Sequence, residues 1–171
     1  DFVFAYERFL RIGVESYYMM EHAHGSALSQ YYAAALWAAS LLYQYTKDSQ
    51  YVLKIHEMAD NLLLCQETGE GDLPMKGFFY RDEAHSQIMH SAHQCREHLF
   101  AESLASACKA LPEDSERGKW ENALKLYGRY LKGLMKYNAP YGMLPAGIYE
   151  MREIYDKEAF RRVHEDRVVF E

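Results

Sequence analysis

The chain has 171 residues, 49% hydrophobic and 26% charged, with a formal net charge of -6. That length supports one domain with its own core, burying about 70% of the unfolded surface, and excludes disorder as the main state. Mixed-sign helices with an excess of acid offer no basic stripe for nucleic acid, and no apolar run reaches the roughly 18 residues of a membrane span.

Apolar spacing and breakers place five helices, over 1–20, 27–46, 50–66, 84–110 and 116–137, with no strand run between them. The first begins at once from Asp1 as an amphipathic pattern, with no initiator Met and no signal peptide. The chain therefore reads as an excised piece, and localisation is not legible from it. Asp48 and Asp114 stand where N-caps are expected, each followed by Ser, and Pro112 closes the helix before the second. The short links imply antiparallel neighbours.

A weak internal repeat runs through these elements. Leu36 to Leu42 with Asp48 and Ser49 align with Leu104 to Ala110 with Asp114 and Ser115, and Ile55, Met58, Ala59 and Leu62 align with Leu124, Tyr127, Gly128 and Leu131. The unit is a helix, a tight Asp-Ser turn and a second helix, so the expected fold is all-α: stacked αα-hairpins in a single helical domain over 1–171. Ala33, Ala34, Ala35, Ala38 and Ala39, with Ala101, Ala105 and Ala107, are expected to let helices approach closely. In the tail, 156–163 reads as one more short helix.

Cys65, Cys95 and Cys108 are odd in number and form no CxxC pair, so they signal neither a disulfide framework nor a thiolate zinc site. The longer connections, 67–83 and 138–155, are rich in Gly, Pro and aromatics, and loops of that length in a helical domain are commonly functional. The first leads from Gly77, Phe78, Phe79, Tyr80, Arg81, Asp82 and Glu83 towards His85, His90, His93, Arg96 and Glu97. If a helix starts at 84, the loop gathers at a helix N-terminus with its unpaired donors, and Ser86, His90, His93, Gln94 and Glu97 share one face.

Four motifs in order, residues 77–82, residues 90–97, the helix from Lys119 to Lys132, and the run from Pro140 to Tyr149, resemble the six-hairpin glycosidases, in particular the cellulase-like branch of glycoside hydrolase family 9. The resemblance covers residues 27–155 and implies an (α/α)6 toroid of twelve helices, of which this chain supplies a part, with carbohydrate bound in a cleft at one end. It also implies an inverting hydrolase, calcium as an optional ion, and secretion or a periplasmic location. The paired aspartates and distant proton-donating Glu of that family have no counterpart at identifiable positions here.

Glycoside hydrolysis needs two carboxyls at a defined separation. Asp82 and Glu97 are the local catalytic candidates by elimination. Tyr80, Arg81, His90, His93, Arg96 and Tyr141 are the candidate substrate-binding residues, their imidazole and guanidinium groups suited to sugar hydroxyls and the rings of Phe79, Tyr80 and Tyr141 to pyranose faces. The plainer reading is a solvated helix face with Arg96 and Glu97 paired to neighbouring turns. A metal reading of His90, His93 and Glu97, or of His22 and His24, departs from the usual i, i+4 His spacing, so no metal is assigned. In Tyr17-Tyr18 and Tyr31-Tyr32, one ring of each pair is expected to face outward or into a cleft. Three functional readings stay open: a hydrolase segment, a catalytically silent glycan binder, and a helical-repeat module for a protein partner. An open segment of a toroid is also expected to self-associate or to depend on the remainder of a larger chain.

Overall fold

The computed structural model of the chain describes residues 28–69, 75–86, 88, 89, 97–135, 140, 142–144, 148–150, 163–165 and 168–170. Their body is helical: α1 (Leu28–Thr46), α2 (Gln50–Leu64), α3 (His98–Ala110) and α4 (Arg117–Leu134). Three of the expected helices are therefore found within two or three residues of their predicted bounds. The expected helix over 1–20 lies outside the described residues.

Both hairpin turns start with the aspartate that the repeat singled out. Asp48 Oδ1 accepts the Gln50 N–H at 3.0 Å, and Asp114 Oδ1 accepts the Glu116 N–H at 2.8 Å. Each carboxylate thus satisfies one backbone donor at the start of a helix from just outside it. The second aspartate does more, since its Oδ2 lies 3.0 Å from His56 Nε2 on α2 and ties the α3–α4 turn to the other hairpin.

Helix α1 is the centre of the packing, lying against both α2 and α3, while α3 also packs on α4. Its 19 residues include no charged side chain, which suits a helix covered on more than one side. Ala33, Ala35 and Ala39 are fully buried there, as is Ala107 on α3, and they allow the close approach expected of them. Ala105 is a correction: it faces outward on α3, one turn from exposed Glu102 and Lys109. The Tyr31-Tyr32 expectation also fails, because both rings are buried. α1 is covered on two sides, and Tyr32 reaches its polar end out to the Glu83 carboxylate. Around these, Leu36, Leu42, Ile55, Leu62 and Leu104 are almost completely buried, each contributing about 1.5–3 kcal/mol relative to exposure.

Two elements differ from expectation. The helix expected over 84–110 begins only at His98; described residues 84–86, 88 and 89 are irregular, with Tyr80 bridging Ile88 in antiparallel fashion. The cause is local: Asp82 folds the chain over its own side chain, accepting the Ser86 N–H at 3.1 Å, and His85 takes a left-handed conformation at φ 55°. In the tail, Val163 opens a strand and not the end of a helix. Strands β1 (Ile148–Glu150), β2 (Val163–Glu165) and β3 (Val168–Phe170) form an antiparallel sheet in the order β1-β3-β2. Ile148 pairs with Phe170 and Glu150 with Val168, and the β2–β3 register is irregular between Val163 and Glu165. Clustered valines at 163, 168 and 169 favour a pleated strand over a helix, which the helical reading of this tail underweighted.

Candidate functional site

The link between the hairpins, residues 65–89, carries Phe79, Tyr80, Arg81 and Asp82 of the residues singled out above. Within it, residues 65–67, 77–80, 88 and 89 form a buried clasp made of backbone hydrogen bonds. Tyr80 N–H donates to Cys65 O at 2.7 Å, Glu67 N–H to Phe78 O at 2.9 Å, Gly77 N–H to Glu67 O at 2.7 Å and Met89 N–H to Phe79 O at 2.9 Å. Three extended pieces therefore lie side by side without making full strands. The Gln66 side chain fixes the clasp to α4, its Nε2 donating to Gly77 O at 3.0 Å and to Ala123 O at 3.1 Å.

The aromatic triplet enters the core through this clasp. Phe79 is fully buried, its ring centroid 4.6 Å from Phe100 on α3 and 5.8 Å from Tyr127 on α4. Phe78 lies 4.9 Å from Tyr80 and 5.6 Å from Tyr130. Such contacts join both helices of the second hairpin to the link, each pair adding about 0.5–1.5 kcal/mol beyond area burial. Phe79 accordingly presents no open face to a sugar.

Tyr80 is buried as well. One face of its ring is stacked on His85, centroids 4.0 Å apart, and its hydroxyl donates to Glu67 Oε2 at 2.8 Å. Glu67 was not singled out in the sequence, yet it is a buried carboxylate whose other oxygen accepts the Gly69 N–H at 2.6 Å. A carboxylate with both oxygens engaged by donors is a structural anchor for a glycine turn. Only its place next to a Gly-rich loop gave any sign of this.

Asp82 holds a turn: besides the Ser86 N–H, it accepts the Ser86 hydroxyl. Arg81, half-buried, gives its carbonyl to the Ser29 N–H in the first turn of α1 at 2.9 Å. The loop therefore does meet a helix N-terminus, but that of α1 and not of the helix that follows it. His85 Nε2 lies 3.0 Å from Leu64 O at the end of α2.

Glu97 stands at the boundary of α3, half-buried, with Oε1 out of solvent and its carboxylate beside the Tyr127 hydroxyl of α4. Burial first, and the adjoining Glu97 charge second, raise the Tyr127 phenol well above its ordinary value, so it is a permanent donor. Ser86 and Glu97 do not share a helix face, since Ser86 is not helical. His90, His93, Gln94, Arg96 and Tyr141 lie outside the described residues, as do His22 and His24. Among the described residues, no group of three or more His, Cys, Asp or Glu side chains is placed to hold a metal ion. Cys65 is buried directly after α2, its Sγ 3.5 Å from Asn61 O, and Cys108 is half-buried on α3. No described helix is long and apolar enough to cross a membrane.

No family profile, curated protein or solved structure matches the chain.

Proposed function

We propose that the chain is a segment of a six-hairpin glycosidase-like domain that acts on or binds a polysaccharide or oligosaccharide. The observation that carries this reading is the side-by-side packing of two αα-hairpins through α1 and α3, joined by the aromatic link at residues 77–82 that bears the resemblance. Stacked hairpins of this kind are the building unit of an (α/α)6 ring. In that reading Asp82 and Glu97 are the two local carboxyls, and Tyr127 on α4 stands beside Glu97. Arg81, Tyr80 and Asp82 shape the loop beside it, and His90, His93, Arg96 and Tyr141 complete the carbohydrate contacts. Calcium and an extracytoplasmic setting come with the resemblance alone.

A second reading, a non-catalytic helical-repeat module that binds glycan or a protein partner, is favoured by one observation. Asp82 is already occupied by Ser86, so one of the two local carboxyls is engaged in the turn. The deciding experiment is reducing-sugar release from a panel of β-glucans by the polypeptide that carries this chain, alongside calorimetric binding of the same oligosaccharides. Release that is lost in Glu97→Gln while binding persists supports the hydrolase reading. Binding without release supports the silent relative, and neither, from a folded protein, removes carbohydrate from the account.

A further inference from the structure

Helix α4 carries five basic side chains and one acidic one, a net +4 in a chain whose total is -6. The acid, Glu121, is already engaged: its Oε1 accepts Arg117 Nε at 2.9 Å, and Lys125 Nζ lies 3.9 Å from its Oε2. Lys125, Arg129 and Lys132 follow one another at spacings of four and three, so they form one stripe, and all three are exposed. The buried face is the other one, with Trp120, Ala123, Tyr127, Tyr130 and Leu134. Where the stripe ends, exposed apolar side chains begin. Met135, one turn after Lys132, is 45% exposed, Met143 63% and Leu144 46%. The chain at 142–144 comes back to the end of α4, since a Cβ added to Gly142 would lie 3.9 Å from Met135 Cε. Exposed apolar side chains elsewhere have different neighbours. Leu53 and Leu64 share their stripe on α2 with exposed Glu57 and Asp60, and Tyr45 stands on α1, which carries no charge. Among the described residues, only the end of α4 joins apolar side chains to a row of three cations.

We propose that this patch docks the protein on a membrane surface rich in anionic lipid, with the outer face of α4 lying along the headgroups. Attraction to such a surface decays within a Debye length, about 8 Å at physiological salt, so the cations nearest the lipid decide it and the acid elsewhere in the chain is screened. Arg129 and Lys132 have no acid within a turn of them on α4, so neither has to break an ion pair of its own helix to reach a headgroup. From Lys125 to Met135 the patch runs about 15 Å along the helix. At its end Met135, Met143 and Leu144 enter the boundary between headgroups and acyl chains, and basic side chains beside apolar ones are the pairing that holds a protein on an interface without spanning it. A soluble polyanion would meet the cations and leave the three apolar side chains in water, whereas a lipid surface meets both. This attachment is independent of whether the chain meets carbohydrate.

The test is co-sedimentation of the polypeptide that carries this chain with vesicles of phosphatidylcholine alone and of phosphatidylcholine and phosphatidylserine in equal parts. Binding is expected to the second kind only, and to weaken steeply as salt is added. Lys125→Gln, Arg129→Gln and Lys132→Gln together are expected to lower the partition constant about a hundredfold. Met143→Asp with Leu144→Asp is expected to lower it as well, with all three cations still present. Lys47→Gln, Lys76→Gln and Lys109→Gln, at exposed positions away from α4, remove the same charge and are expected to leave it within about twofold. Every substituted position is exposed, so helical circular dichroism should be unchanged throughout. Equal losses in the two lysine and arginine triples overturn the proposal, because the attraction would then follow net charge and not the stripe. So does equal binding to the two kinds of vesicle. Absence of binding to the charged vesicles overturns it too, and if soluble polyglutamate binds in their place the stripe belongs to an acidic protein.

Discussion

Gly77 packs so closely on α4 that a Cβ added to it would overlap the carbonyl of Leu126. The residue also sits at φ 102°, in the left-handed region. Gly77→Ala therefore combines backbone strain with a collision against backbone that has no side-chain freedom to yield. We expect a loss of about 3 kcal/mol or more, read as a lower urea midpoint at unchanged m-value. The contrast is Gly128→Ala, the residue after Tyr127, on an exposed helix position with nothing within 4 Å of the added carbon. That change is expected to stabilise by about 0.5–1 kcal/mol. Opposite signs at two glycines facing different environments would establish the clasp as a rigid seat on α4; equal effects would not.

Tyr80 and Glu67 form the polar half of the same clasp. Tyr80→Phe keeps the ring against Phe78 and His85 but removes the donor to a buried carboxylate, at an expected cost of about 1–3 kcal/mol. Thermal unfolding monitored by circular dichroism checks it. A neutral result would mean that water replaces the hydroxyl at Glu67 and that the link is looser than its hydrogen bonds indicate.

What was legible in the sequence was whatever local periodicity and turn chemistry decide. α1, α2 and α4 follow from apolar spacing, and the paired roles of Asp48 and Asp114 follow from the repeat. Residues 84–89 misread because their helical spacing competes with an aspartate turn and a left-handed histidine, and a turn that folds over one side chain outweighs periodicity over six residues. The sugar-stacking assignment of Phe79 and Tyr80 misread for a different reason. Aromatic composition in a long loop does not say which way the rings point, and here the loop sets Phe79 against α3 and α4 and packs Tyr80 between Phe78 and His85. Glu67 was invisible because a buried carboxylate is recognised by its partners, Tyr80 and Gly69, which are brought to it only by the clasp.

The two turn aspartates differ in a way that mutation can read. Asp48→Ala removes the hydrogen bond to the Gln50 N–H at an exposed turn, an expected cost of about 1 kcal/mol. Asp114→Ala removes the equivalent bond and also strips His56 of its partner in the other hairpin. Its cost is expected to exceed that of Asp48→Ala by about 1 kcal/mol. In a double-mutant cycle with His56→Ala, the excess should vanish; an undiminished excess would place it within the second hairpin and not between the two.

Alkaline pH gives a test that needs no substitution. Burial first and the Glu57 carboxylate second push the Tyr31 phenol up to about 12 from its ordinary value of 10.0. The folded state therefore holds this proton more tightly than the unfolded chain, and the contribution to stability is complete below about pH 10, where both states are protonated. Above that the unfolded chain ionises first, and the contribution is lost as the pH rises towards about 12. Tyr127 shifts in the same direction through burial beside Glu97 and adds to the fall. Urea midpoints are expected to hold level up to about pH 10 and to drop steeply beyond it, with phenolate absorbance from these rings appearing together with unfolding. Tyr31→Phe should shallow the drop, since it removes one of the ionisations that the unfolded chain gains. A flat profile through pH 11, or phenolate absorbance well before unfolding, would put Tyr31 in water and not against α2.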